Sequence, residues 1–222
     1  MNFHSRYTGF TLAEVLITLV IIGVIAAISI PTIVQGTQKQ EYATALKKAH
    51  SVLCQSLVRI GQNNGYPGGD YDFFNNLNFM DEFAQVTNVV QKCENQQACF
   101  GSKLKGASSE YKMLNKTASP QWDDGKSVIT ADGMLYTFVK ASSASSIYGL
   151  SDEDVQNVLG RIIVDVNGSR KPNVFGLDSF VFYVVDYKGI VPAGSYSTSD
   201  CNRSGRGGTC AARVLREGKI SY

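Results

Sequence analysis

From Phe10 to Ile30 the chain is predominantly apolar, and one charge interrupts it, Glu14. A run of about 20 such residues is long enough to cross the hydrocarbon of a bilayer as a helix. An acid inside it costs roughly 2.5 to 3.5 kcal/mol at mid-membrane and less near the interface, so a plain anchor gains nothing from Glu14. The residue therefore reads as functional. Whatever else the chain folds into must hang from this span.

With the run set aside, 222 residues at 44% hydrophobic and 18% charged leave material for one ordinary domain of about 150 to 170 residues. A net charge of +2 is too small to argue for a nucleic acid or an acidic substrate. Five cysteines say more. Cys93 with Cys99, and Cys201 with Cys210, form two close pairs in polar sequence, which fits disulfides in an oxidising compartment. Cys54 is left over, and pairing across the two loops stays open.

The leader Met1 to Gly9 is short and polar, and the small-residue site expected after the apolar run of a secretory signal is poorly matched by Ala26-Ala27-Ile28. Processing is expected before the run, between Gly9 and Phe10. The residues Gly9-Phe10-Thr11-Leu12-Ala13-Glu14, with Pro31 after the span, resemble the N-terminus of type IV prepilins and of the pseudopilins of type II secretion systems. The resemblance implies cleavage after Gly9 by a prepilin peptidase, methylation of the new Phe10 amine, and a helix bend at Pro31. It also implies polymerisation with copies of itself and other pilin-like subunits, on an inner-membrane platform driven by a cytoplasmic ATPase. Glu14 would neutralise the Phe10 ammonium of a neighbour, since two opposite charges in low dielectric offset each other's desolvation only where they meet. Before assembly the span would sit in lipid, single-pass in a bacterial inner membrane with the C-terminal domain periplasmic. An extended pilus, a secretion pseudopilus, and a minor tip subunit with an adhesive or DNA-uptake role all fit this resemblance.

Past Pro31 the pattern becomes amphipathic. Tyr42, Leu46, Ala49, Leu53, Leu57 and Ile60 recur at spacings of three and four, which predicts a helix to about Ile60, ended by Gly61-Gln62-Asn63-Asn64-Gly65. The expected organisation is leader 1–9, filament-core helix 10–30, amphipathic continuation 31–61, and a globular domain 62–222. Phe73, Phe74, Met80, Phe83 and Val90 predict one or two further helices up to about Lys92, and the 101–125 stretch reads as loop with room for one short helix. Strands are expected at 127–139, as a hairpin around Asp132-Gly133, then at 161–166 and 179–187, with a Ser151-capped helix between. The fold class is α+β: a long N-terminal helix on a small antiparallel sheet, the order of a pilin-like roll.

Between the last long strands, Asp165, Asn167 and Asp178 can place oxygens around a hard cation, and calcium is the cofactor those residues suggest. Some pseudopilins bind calcium in a comparable late loop. A turn held by Asx hydrogen bonds is the stronger expectation, because two carboxylates are few and the spacing is not that of a regular calcium loop. In the C-terminal segment Arg203, Arg206, Arg213, Arg216 and Lys219 stand against Glu217. Without interleaved stacking aromatics this reads as a solvated face, and DNA binding is disfavoured. No phosphate loop, nucleophile elbow or zinc-protease helix appears, and His50 is the lone histidine after the leader, so a tethered enzyme is a distant alternative.

Overall fold

The computed structural model describes residues 9–66, 68, 70–76, 78–94, 98–99, 111–117, 125–140 and 149–222. Leader residues 1–8 and most of the 101–125 stretch, with its expected short helix, lie outside the described residues. The chain divides into two units, residues 1–39 and 40–222.

Helix α1 spans Leu12–Asn63 and does not end at Pro31. Its first unit carries the apolar segment Leu12–Ile30, none of which is buried. Exposed isoleucine, leucine and valine on every side have no water-compatible explanation, whereas lipid tails or packed helices suit such a surface. The hydroxyls within it are satisfied locally, Thr18 Oγ1 donating to the Val15 carbonyl at 3.0 Å and Ser29 Oγ to that of Ile25 at 2.8 Å. Spanning helices need this internal satisfaction.

The helix ends three residues later than Ile60. Gly65 takes the left-handed conformation, φ +75°, while Gly65 N–H donates to the Gln62 carbonyl and Tyr66 N–H to that of Gly61. This is the paired 5→2 and 6→1 pattern of a Schellman cap, and it needs a left-handed residue, so Gly65 rather than Gly61 sets the boundary.

The second unit holds a six-stranded antiparallel meander in the order β1-β2-β3-β4-β5-β6. The strands are β1 Val89–Cys93, β2 Lys126–Thr130, β3 Leu135–Lys140, β4 Val158–Asp165, β5 Ser179–Val185 and β6 Gly189–Pro192. With the membrane-type helix and short helices α2 Phe73–Asn76, α3 Phe79–Val86, α4 Asp152–Gln156 and α5 Cys210–Glu217, the architecture is α+β. Ala43, Leu46, Ala49, Leu53, Leu57 and Ile60 of α1 share one core with Val128, Tyr136, Ile162, Val164, Phe180, Phe182 and Val184. Period-two alternation sends Ile163, Val181, Tyr183 and Val185 to the other face, where Tyr111, Met113, Leu150 and Phe175 cover them. All seven residues of β5 are consequently buried.

One expectation requires correction, and one element was not foreseen. The helix expected to run to Lys92 stops at Val86, and Val89–Cys93 pair instead with Thr130–Ser127 of β2. Thr87 is already extended, and the β-branched Val89 and Val90 favour a sheet edge once a partner strand is present. The C-terminal segment holds an unforeseen helix, α5, which buries Cys210, Ala211, Ala212 and Val214, while Arg203, Arg206, Arg216, Glu217 and Lys219 stay exposed as expected of a solvated charged face. Gly218 at φ +70° was its legible stop signal.

The disulfide Cys201–Cys210 fastens the first residue of α5 to the preceding loop, and Cys93–Cys99 closes the end of β1. Replacing both Cys201 and Cys210 by alanine is expected to lower stability by about 2 to 3 kcal/mol, by releasing the unfolded chain. Thermal unfolding of the purified full chain measures this, and an unchanged Tm would mean that α5 is held by packing alone.

Candidate functional site

At the start of α1, Thr11 and Glu14 satisfy one another. The Thr11 backbone N–H and Oγ1 both donate to Glu14 Oε2 at 2.8 Å, and the Glu14 N–H donates to Thr11 Oγ1 at 3.2 Å. This is the reciprocal capping box of a Thr-x-x-Glu sequence, which pairs orphan N–H groups of the first helical turn. The carboxylate that stood out as an odd charge thus has a local partner within its own chain. Gly9, immediately before, has nothing within 4 Å of where a side chain would begin, and Phe10 is fully open at 89% exposure. An exposed, unencumbered Gly9–Phe10 bond next to a capped helix is accessible to an enzyme.

A second constellation lies in the loop joining β4 to β5. Asp165 and Asp178 are both buried, at 1% and 0% exposure. Asp165 Oδ2 accepts from Tyr111 Oη at 2.6 Å, and its Oδ1 from the Asn167 N–H at 3.1 Å. Asp178 accepts from the Asn173 and Val174 N–H groups at 2.8 and 2.6 Å. Asn167 Nδ2 reaches Tyr42 Oη on α1 at 3.2 Å and the Lys171 carbonyl at 3.3 Å, tying the loop to the helix. Burial and then the neighbouring Asp178 charge push the Asp165 carboxyl well above the usual range. Burial likewise raises Asp178 to about 6, against the backbone donors that favour its charged form.

Among the described residues, three buried oxygens here have no hydrogen-bond partner: Asn167 Oδ1, Asn173 Oδ1 and Ser179 Oγ. Buried acceptors are seldom left unpaired, and each such oxygen costs about 1 to 3 kcal/mol. Only Asp165, Asn167 and Asp178 were foreseeable from composition. Asn173 and Ser179 enter through the fold, Ser179 because strand register sets it opposite Asp165. Among the described residues no three His, Cys, Asp or Glu side chains group as metal ligands, so any cation here would rest on two carboxylates and neutral oxygens.

The remaining candidates are separate from both places. Cys54 is free and half-buried, its Sγ 3.5 Å from His50 Nε2, while the His50 ring stacks on Phe182 at 5.6 Å. Burial raises the Cys54 thiol pKa and lowers that of His50, which suits packing rather than chemistry. In the C-terminal basic set, Arg213 is committed to structure. It meets Glu217 at 2.9 Å, donates to the Cys201 carbonyl at 2.9 Å and lies over the Tyr222 ring. Arg203, Arg206, Arg216 and Lys219 are exposed.

No curated protein and no solved structure matches the chain. The family described as the prokaryotic N-terminal methylation motif matches residues 4–30, which take in the Gly9–Phe10 bond, the Thr11–Glu14 cap and the apolar half of α1. That family is structural rather than catalytic, and the motif implies processing by a prepilin peptidase and assembly into pilin polymers. Over residues 4–30 the chain carries the prepilin-type signature of type IV pilins and pseudopilins, and that signature together with the unburied apolar helix fits a membrane-anchored pilin-like subunit that is later polymerised.

Proposed function

We propose that this chain is cleaved after Gly9, methylated on the Phe10 amine, and drawn from the inner membrane into a filament whose core is the Leu12–Ile30 segment, with residues 40–222 on the periplasmic side. The single observation that carries the reading is the Thr11–Glu14 cap on an otherwise unburied apolar helix. A carboxylate already bonded to its own helix is tolerable in the bilayer before assembly, because its charge is partly met by local donors. Cleavage then creates an ammonium at Phe10. Glu14 of an adjacent copy is an acceptor at the matching depth, and pairing fixes the stagger between neighbouring helices. Pro31, which has no backbone N–H, gives the helix one place to bend as the spans pack. The two disulfides support the periplasmic placement, since such bonds persist in an oxidising compartment. Work for extrusion comes from a separate assembly platform and cytoplasmic ATPase.

The test compares two variants. Replacing Gly9 by leucine should leave a chain that keeps its leader, and mass spectrometry of the membrane fraction reads this directly; a Gly9 variant that still begins at Phe10 would refute the cleavage site. Glu14→Ala should be processed normally yet enter sheared fibres at least about tenfold less well, as expected for a lost charge pair in low dielectric. Undiminished incorporation would leave the filament reading standing without its charge pairing.

We also propose that the β4–β5 loop takes a calcium ion. Asp165, Asn167 and Asp178, with Asn173, would hold it through oxygen alone, the donor type that hard cations prefer. The unpaired amide oxygens of Asn167 and Asn173 are the observation in favour. Bound there, the ion would offset the repulsion between two buried carboxylates and set the loop against Tyr42 of α1.

A further inference from the structure

A cavity of about 380 Å³ opens between α1, the turn joining α3 to β1, and the β2–β3 hairpin. Lys48, Val52, Gln55, Ser56 and Arg59 of α1 line it, at spacings that form one stripe of the helix beside the buried one. Lys48 is committed, its Nζ 2.7 Å from Asp132 Oδ2, and Asp132 also accepts from Thr130 Oγ1 at 2.5 Å. Arg59 is exposed and has no ion or hydrogen-bond partner among the described residues. The cavity therefore presents one uncompensated guanidinium above an apolar floor that includes Val52 and Tyr136. An Arg so placed suits a carboxylate, which it can meet with two parallel hydrogen bonds.

The same chain displays carboxylates elsewhere. The first turn of α4 is Asp152-Glu153-Asp154, capped by Ser151. Asp154 pairs with Lys188, which also faces Glu153, so three acids stand against one lysine; Asp152 and Glu153 are exposed. Placement is decisive here. Tyr136 in the cavity floor belongs to the core on the α1 side of the sheet, whereas Val155 of α4 packs with Ile163, Val181 and Tyr183 on the opposite side. The basic cavity and the acidic turn cannot meet within one molecule. Two different, complementary patches on opposite faces make a head-to-tail contact, and such contacts generate open helical polymers.

We propose that the cavity at Arg59 receives the Asp152–Glu153 turn of a second copy of this chain. The inference rests on the filament reading and supplies the globular domain with its own recognition element. Electrostatic complementarity of this kind sets partner choice and register more than affinity. It would make a copy lacking either patch a poor neighbour even with an intact apolar helix.

The experiment uses the full chain in cells that polymerise it. Arg59→Glu and Glu153→Arg are each expected to lower recovered polymer at least about fivefold, while the double variant recovers to within about twofold of the parent. In parallel, Arg59→Cys with Glu153→Cys in one chain, on a Cys54→Ser background, should give a disulfide ladder in oxidised fibres, whereas each single cysteine gives none above a dimer. Fibres that form without the ladder, or a double reversal no better than the singles, overturn this contact and leave the filament reading intact. A parent chain that never polymerises removes the filament reading itself, and this contact with it.

Discussion

Replacing Gly160 by valine is expected to destabilise the fold by about 3 kcal/mol and lower Tm by on the order of 10 °C. Gly160 lies in β4 opposite Lys140 of β3, and a Cβ there would sit 2.0 Å from Phe74 Cε1 and under 3 Å from two more atoms of that ring. Phe74 cannot step aside. It is 2% exposed, with Phe79 at a ring distance of 4.7 Å, and Phe79 in turn meets Phe138 edge-on at 5.1 Å. Any side chain on Gly160 displaces the ring that docks α2 and α3 onto the sheet, so the strain spreads through three aromatics. The fully buried Phe83 closes the same cluster, 5.3 Å from Tyr136 and 5.1 Å from Phe138. Thermal denaturation of the full chain in detergent measures the effect. A valine variant within a degree or two of the parent would show that the aromatic cluster yields more readily than its packing implies.

The second large effect is on pH dependence. Asp178 titrates at about 6 in the folded chain, chiefly through burial, and Asp165 is raised further by burial and by Asp178. A carboxyl raised on folding makes its full contribution while protonated and loses it as pH climbs through the folded value. Without calcium, stability should therefore fall as pH rises from about 4 through 6, and of that fall Asp178 alone accounts for about 1.4 kcal/mol between pH 5 and pH 8. Asp132 and Asp154 are lowered by their lysine partners and act only at more acidic pH. His50, lowered by burial, works in the opposite sense just below its ordinary value. Asp178→Asn removes that residue's share of the slope and lessens that of Asp165, which burial still raises, while the slope of His50 stays. Millimolar calcium should raise Tm strongly at pH 8 and little at pH 5, where protons compete for the same oxygens. A slope that persists at pH 8 whatever the calcium concentration would make the pair a proton site and remove the cation.

How much of this was legible beforehand depended on the range of the interaction concerned. Glu14, Gly9 and Phe10 stand out from the bare sequence because a charge in an apolar run has few explanations, and the match at residues 4–30 falls on the same stretch. The hairpin at Asp132-Gly133, the Ser151 cap and the buried α1 stripe were readable too, since each is set within a few residues. β1 was not. Val89–Cys93 is a strand only because β2 lies beside it, 34 residues or more further along the chain. Helix α5 escaped for a related reason: its charged residues look solvated until Val214 and the Cys210 bond show which side is buried.

The chain by itself thus determined that a membrane-length helix with a single acid leads an α+β domain, because length, hydropathy and local caps are properties of contiguous residues. Only the tertiary structure decided that Asn173 and Ser179 join Asp165 and Asp178 around unpaired oxygens, and that Arg59 and Asp152–Glu153 belong to opposite sides of one sheet. Those facts depend on strand register and on which face a side chain takes, and a sheet fixes both only when all its strands are in place.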